Sequence, residues 1–304
     1  MGSIALARDC AICRGTKLAH SWVTTMSTGC VIAAIDLGPS TARVLYHAAA
    51  FAQLIQAPLK VLHVNGVSAT THRRVLDACL QLGPHQADFD DSQIVIRSGR
   101  VSDAIGREAA HGKASLVVVG SRGHGGVAKF LLGSTSDAVL RTATTAVLLV
   151  PPTEMDIVSI GDEVALTCGP LVAAVDLAED SYEQLRLASK LAHLGSQPLL
   201  VMTVAKSRVS NHDAAQGLRE RARELTPVKP ASVIVRRGRM ATEISRCASV
   251  EGAGLVVMGL RAGSRGRPGA IAASVLKTRR AFVLAVPSAR AALMVAPTPT
   301  RRVA

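Results

Sequence analysis

The chain alternates short, almost entirely apolar runs with longer segments in which apolar residues recur every three or four positions. In the first half, the apolar runs predict strands at Val31–Ile35, Leu59–Val64, Ile94–Arg97, Leu116–Val119 and Ala146–Val150. The segments between them have helical spacing, which predicts helices near Thr41–Ile55, Ala69–Leu82, Val101–His111 and Ser134–Thr142. Continuous apolar strands that alternate with helices are typical of a parallel sheet buried on both faces.

The second half of the chain repeats the pattern of the first. Residues 97–120 align without a gap on residues 236–259, and 11 of these 24 positions are identical. Upstream, "VIAAIDLGPST" (31–41) matches "LVAAVDLAEDS" (171–181); downstream, "GSTSDAVLRTATTAVLLVP" (133–151) matches "GAIAASVLKTRRAFVLAVP" (269–287). Three collinear, gapless blocks indicate a tandem duplication.

The repeat divides the chain into two similar domains. We predict an N-terminal extension at 1–29, a first domain at 30–152, a linker at 153–168, a second domain at 169–288 and a tail at 289–304. The predicted fold class is α/β, with two tandem open-twisted five-stranded parallel sheets sandwiched by helices, a Rossmann-like arrangement.

A glycine-rich loop follows the fourth predicted strand in the stretch "VVVGSRGHGGVAKFLLGSTSDAVLR" (117–141). A Walker A loop is excluded because no Gly-Lys-Ser/Thr occurs. The dinucleotide fingerprint G-x-G-x-x-A fits literally from Gly123 to Ala128. That fingerprint belongs to the first strand–helix turn of a domain and needs an acidic residue about 20 positions later, which this chain lacks.

A third spacing joins Gly120, Gly123, Gly133 and Ser134 in the pattern G-x2-G-x9-G-S. This pattern resembles the nucleotide-binding motif of the universal stress protein family. The resemblance includes Asp36 after the first strand and the ending "GSTSDAVLR…AVLLVP", and it extends over both repeats. It implies a five-stranded parallel sheet between helices, and ATP as the ligand, with Mg²⁺ as a candidate companion ion.

The resemblance also implies which side chains form the site. They are Ala34, Asp36 and Val64 at the adenosine end, Val119 against the base, Gly120, Gly123, Gly133 and Ser134 of the motif, and Arg122, Thr135 and Ser136 around them. The chemistry of these residue types agrees with this assignment. Glycines let a ligand approach the backbone closely, and a Ser N-cap at the start of the last helix favours phosphate binding. Ordinary turn and cap chemistry explains the Gly and Ser residues as well, and Asp36 could simply cap the first helix.

The second repeat lacks part of this pattern. Gly259 and Gly269 keep two of the glycines, whereas Ala262 replaces the second glycine and Ala270 replaces the serine. We therefore predict that the second domain binds ATP weakly or not at all and serves mainly as a packing partner. The resemblance adds the expectation of a homodimer formed through the last strands.

The net charge of +13 raises nucleic acid as a partner. From Lys229 onward there are 14 basic residues and only two acidic ones, but aromatic residues make up 2% of the chain. Because few aromatic side chains are present for bases to stack on, we favour a solvated arginine-rich face over a nucleic-acid-binding surface. A polyanion-binding protein stays an alternative.

The remaining features favour a cytoplasmic binding protein. Six scattered cysteines suggest reduced thiols, and no apolar run has the length of a membrane span. Cys10 and Cys13 have metal-ligand spacing, but four convergent ligands are not evident. No catalytic constellation emerges, so we expect a regulatory module rather than an enzyme; slow hydrolysis of ATP is the alternative.

Overall fold

The computed structural model describes residues 29–64, 68–81, 91–121, 132–161, 163–177, 182–205, 209–226, 229–260, 268–277 and 281–288. Of the predicted site residues, Arg122 and Gly123 lie outside these ranges, as do Cys10, Cys13 and Ala262. The predicted tail and nearly all of the predicted N-terminal extension lie outside them as well.

The first half forms a sheet of five strands with helices between them. The strands are β1 (Val31–Ile35), β2 (Leu59–Val64), β3 (Ile94–Arg97), β4 (Leu116–Gly120) and β5 (Ala146–Val150). The helices are α1 (Thr41–Leu54), α2 (Ala69–Leu80), α3 (Val101–His111) and α4 (Ser134–Thr142). These elements agree with the predictions to within two residues at each end.

The second half repeats this arrangement after a short hairpin. The hairpin strands are β6 (Val158–Ile160) and β7 (Val164–Leu166), which pair antiparallel within the predicted linker. The strands that follow are β8 (Leu171–Ala174), β9 (Leu199–Val204), β10 (Ser232–Arg236), β11 (Leu255–Leu260) and β12 (Phe282–Pro287). The helices are α5 (Glu183–Leu194), α6 (Asn211–Leu225), α7 (Met240–Val250) and α8 (Pro268–Leu276).

The two five-stranded sheets join into one sheet of ten strands. Its order is β10-β9-β8-β11-β12-β5-β4-β1-β2-β3, and β12 pairs antiparallel with β5 while every other pair is parallel. The last strands of the two halves thus pair with each other, Leu284 opposite Leu148. The expected homodimer through last strands is not supported, because both edges of β5 and of β12 are already paired within one chain.

A hydrophobic core lies on each face of this sheet, and each core includes residues of both halves. One core packs the sheet against α1, α2, α5, α6 and the hairpin, and the other packs it against α3, α4, α7 and α8. Because both faces are covered, alternate residues of a strand such as Val117 and Val118 are both buried. This double burial explains why the strands are continuous apolar runs in the sequence.

The sheet topology also determines where a ligand can bind in the first half. β1 lies between β2 and β4, and the helices that follow β1 and β4 cover opposite faces of the sheet. Where successive connections leave for opposite faces, the carboxyl ends of the two strands form a crevice. The motif Gly120 and the predicted Asp36 both lie at this point.

Candidate functional site

A cavity of about 110 Å³ opens at the carboxyl ends of β1 and β4. Its wall consists of Ala34, Ile35, Asp36, Ser40, Thr41, Val44, Leu62, Val64, Val101, Ile105, Val119, Gly120, Thr135 and Ser136. These residues come from β1, β2, β4, the loop between β1 and α1, and the N-terminal parts of α1, α3 and α4. The cavity is therefore a product of the sheet topology and not of one loop.

The cavity brings together seven of the residues that the sequence singles out. They are Ala34, Asp36, Val64, Val119, Gly120, Thr135 and Ser136. Gly133 and Ser134 directly precede Thr135 in the chain but do not line the cavity wall. Arg122 and Gly123 lie outside the described residues.

Sequence reasoning missed the walls that α1 and α3 contribute. Val101 and Ile105 of α3, and Ser40, Thr41 and Val44 at the start of α1, also line the cavity. The apolar members follow ordinary helical spacing, so in the sequence they cannot be told from core residues. The hydroxyls of Ser40 and Thr41 stand directly before a helix, where capping is their usual role.

Asp36 shapes the loop between β1 and α1. One carboxylate oxygen, Oδ1, accepts a hydrogen bond of 2.9 Å from the backbone N–H of Gly38. Between Asp36 and Gly38, the backbone of Leu37 has a φ of 58°, a left-handed conformation that residues other than glycine rarely adopt. The N-cap of α1 is Ser40, so the alternative that Asp36 caps this helix is wrong. Asp36 instead holds a tight turn at the mouth of the cavity.

The start of α4 differs from its predicted form. Gly133 is the N-cap, Ser134 is the first helical residue, and no side chain caps the helix, so the prediction of Ser134 as the N-cap is wrong. The reason is a contact with the end of β4, since the Gly133 N–H donates to the Ser121 carbonyl at 2.8 Å and the Gly133 carbonyl accepts from the N–H of Asp137. The N–H groups of residues 134–136 consequently have no acceptor within the helix.

Ser136 connects α4 to the motif glycine. Its side chain is buried, and its hydroxyl donates a hydrogen bond of 2.7 Å to the carbonyl of Gly120. This bond fixes the first turn of α4 against the end of β4. The N-terminal end of α4, with its partial positive charge, therefore borders the cavity in a defined position.

The cavity wall is mainly apolar and carries one ionisable side chain, Asp36, among the residues that the structure describes. Thr41 is also buried, and its hydroxyl has no hydrogen-bond partner within the described ranges. No group of His, Cys, Asp or Glu side chains in this part of the chain has the arrangement of a metal site.

No described helix combines the length and the apolar character that crossing a membrane requires.

Comparison with known proteins matches this half of the chain to a family. Residues 30–151 match the model of the universal stress protein family. The first half is a universal stress protein domain. The match includes the described strands and helices that line the cavity.

Solved structures extend the likeness to the second half. A universal stress protein from Archaeoglobus fulgidus DSM 4304 is 17% identical, with 86% of this chain and 97% of that chain covered, at a TM-score of 0.61. A protein from Pseudomonas aeruginosa UCBPP-PA14, named among the universal stress proteins, is 19% identical with 90% and 98% covered, at a TM-score of 0.65. A functionally unknown protein from Pseudomonas aeruginosa PAO1 is 17% identical with 90% and 97% covered, at a TM-score of 0.61. At these identities the likeness concerns the fold of both halves. Among curated protein sequences, none matches this chain.

The second half differs from the universal stress protein domain at the positions that line the cavity. In the aligned repeats, Met202 corresponds to Leu62, Met258 to Val119, Ile271 to Thr135 and Ala272 to Ser136. The two methionines are buried and reach further than the side chains they replace. The three hydroxyls in the first turn of α4, those of Ser134, Thr135 and Ser136, are absent from α8. The counterpart positions thus carry bulkier and less polar side chains.

Proposed function

We propose that this protein is a nucleotide-responsive regulatory module whose first half binds ATP. The observation that carries the proposal is the cavity at the ends of β1 and β4, where an apolar wall adjoins the uncapped N-terminus of α4. An apolar wall suits the flat face of a nucleotide base, and the N–H groups of an uncapped helix N-terminus suit phosphate groups.

The ligand would lie with its adenosine end inside the cavity. Val64, Val119 and Ile105 supply apolar contacts for the two faces of the purine ring. The carboxylate of Asp36 is the group suited to accept hydrogen bonds from ribose hydroxyls, since a carboxylate accepts and does not donate. These two kinds of contact would select a nucleoside over a free phosphate.

The phosphates would lie at the start of α4. The N–H groups of residues 134–136 have no acceptor within the helix, and Ser134 and Thr135 expose their hydroxyls beside them. A helix N-terminus attracts anions through these N–H groups and through the helix dipole. Mg²⁺ would enter only as the ion that ATP itself carries, because no metal-binding cluster occurs among the described residues.

A regulatory role is favoured over hydrolysis by the chemistry of the wall. Asp36 is the one ionisable side chain of the described cavity wall, and in the proposed pose it is engaged by the ribose hydroxyls. General-base catalysis needs a group free to take a proton from water.

We place the protein in the cytoplasm, in keeping with the four described cysteines, which are all free thiols.

The test is to exchange side chains between the two halves. The triple variant Val119→Met, Thr135→Ile and Ser136→Ala imports the second-half residues into the cavity. The reciprocal variant Met258→Val, Ile271→Thr and Ala272→Ser is the matched control. Titration calorimetry should give one ATP per chain for the wild type and the control, and at least a tenfold weaker affinity for the first variant (about 1.4 kcal/mol).

Each part of the proposal can fail separately in this experiment. No binding of ATP by the wild type would refute the proposal as a whole. Two equivalent sites per chain would contradict the loss of the second site, and unchanged affinity in the triple variant would contradict the placement at the cavity. Phosphate release that keeps pace with ATP binding would favour the hydrolytic alternative. Thermal unfolding of each variant checks that the fold is retained.

A further inference from the structure

Gly269 of the second half lies against the helix that forms the phosphate end of the proposed site. It is the second residue of α8, and it is buried. A Cβ atom built on Gly269 would overlap Oδ1 of Asp137 and would lie 3.1 Å from Cδ2 of Leu132. Asp137 is in the first turn of α4, and Leu132 is two residues before that helix. The two halves thus meet at the N-terminal ends of equivalent helices.

The repeat alone gives this glycine a different meaning. Gly269 aligns with Gly133, which suggests a remnant of a lost phosphate motif. The structure supplies a present use for it, because a Cβ at position 269 would have to displace the carboxylate of Asp137, which is paired with Arg141 of the same helix. This accounts for a glycine that persists where the neighbouring serine has become Ala270.

α8 cannot easily retreat from such a displacement. On one side the Ser274 hydroxyl lies 3.0 Å from the Ser245 hydroxyl and 3.3 Å from the Ala241 carbonyl of α7. Below, Ala272 and Val275 are completely buried in the core between α8 and the sheet. Added bulk at position 269 would therefore press on the Asp137 side chain of α4 rather than move α8.

The first turn of α4 carries both the contact with Gly269 and the wall of the cavity. Asp137 faces Gly269, while Thr135 and Ser136 line the cavity and Ser136 bonds to Gly120 at 2.7 Å. The Asp137 carboxylate is held by its pair with Arg141 one turn later, so a push on it is passed to the backbone of the turn that also holds Thr135 and Ser136. The N–H groups of residues 134–136 would move with it.

We infer that Gly269 is a positioning residue through which the second half holds the first turn of α4 in its phosphate-binding place. This inference rests on the proposed binding of ATP by the first half. It predicts that the effect of bulk at position 269 depends on the phosphates of the ligand. The adenosine end is held by β1, β2 and α3, which Gly269 does not contact.

The experiment compares ATP with adenosine on the full chain. Gly269→Ala should weaken ATP binding by at least about tenfold, as expected when a preorganised site is displaced by a fraction of an ångström. The same variant should change adenosine affinity by less than about threefold. Ala270→Leu, which adds more volume at an exposed position of the same helix, is the matched control and should bind ATP as the wild type does.

A second substitution tests the contact itself. Asp137→Ala removes the oxygen that the new Cβ would overlap, so the double variant with Gly269→Ala should bind ATP nearly as tightly as Asp137→Ala alone. If Gly269→Ala alone does not fold, this pair of variants decides the question. A double variant that does not fold, or that binds ATP far more weakly than Asp137→Ala, overturns the inference.

The remaining outcomes separate this inference from the function on which it rests. Equal losses of ATP and adenosine affinity in Gly269→Ala would indicate general loosening and overturn the positioning role. Unchanged ATP affinity would also overturn it, while the proposed function would stand. A wild type that binds neither ligand would refute the proposed function itself.

Discussion

The ring of His47 illustrates how single residues connect the two halves. It lies on α1, is fully buried, and packs on Phe282 of β12 with ring centroids 4.6 Å apart. Its Nδ1 lies 2.8 Å from the Arg43 carbonyl, and its Nε2 lies 3.6 Å from Asp156 of the linker. Burial lowers the pKa of His47 to about 4, against the smaller opposing effects of the Arg43 carbonyl and Asp156.

This lowered pKa predicts a specific loss of stability in acid. In the unfolded chain a histidine has a pKa of about 6.5, so the unfolded state binds the proton first as the pH falls. The contribution of His47 to the free energy of unfolding should be complete above pH 6.5 and should fall by about 3 kcal/mol on the way to pH 4. Urea unfolding at pH 7.5 and pH 4.0 measures the difference.

The matched variants isolate this residue from the carboxylates that titrate in the same range. His47→Phe keeps the aromatic contact with Phe282 but cannot take up a proton, so its loss of stability between the two pH values should be smaller than that of the wild type. His193→Gln, at an exposed position, should keep the wild-type slope. Identical slopes for the wild type and His47→Phe would rule out the interpretation.

Among the elements, the hairpin of β6 and β7 shows that the segment between the halves is part of the core. Ile157, Val158 and Leu166 are each at most 2% exposed and pack in the core that also holds α1 and α5. Ile157→Ala should lower the free energy of unfolding by about 3 kcal/mol, the usual cost of a large-to-small change in a core. Ser159→Ala, at an exposed position of β6, should change it by less than about 0.5 kcal/mol. A loss below about 1 kcal/mol for Ile157→Ala would mean that this segment is only a tether.

The strands and helices could be predicted from the sequence because their signal is local. Burial on both faces makes β1 and β5 continuous apolar runs. The predicted bounds of β1, β2, β3 and β5 match the structure. The hairpin escaped prediction because strands of three residues are too short to show a period.

The finer geometry of the site depends on contacts that local patterns do not encode. The left-handed turn at Leu37 follows from the hydrogen bond that the Gly38 N–H donates to the Asp36 carboxylate. The one-residue shift of the cap from Ser134 to Gly133 follows from the bond between Gly133 and Ser121. The close approach of Gly269 to Asp137 joins residues 132 positions apart in the chain, which no local pattern can predict.

The whole molecule behaves, by its contacts, as one folding unit rather than two linked domains. Each of its two cores contains residues of both halves, and the ten strands form one sheet through the pairing of β5 with β12. Separating the halves would expose the fully buried strands β5 and β12 together with Phe282. Such a loss of apolar burial makes independent unfolding of either half costly.

This cooperativity predicts that ATP bound in the first half also slows the hydrogen exchange of backbone amides in the second half. At ATP concentrations 100 times the dissociation constant, binding adds about 2.7 kcal/mol to the free energy of unfolding. Amides that exchange only through global unfolding should then exchange about 100-fold more slowly. Hydrogen-exchange mass spectrometry should find this slowing in peptides of β8 and β11 as well as of β1 and β4. Slowing confined to the first half would show that the halves open separately. Because α8 lacks the hydroxyls of the first turn of α4, we expect protection there to report the shared core and not a second ligand.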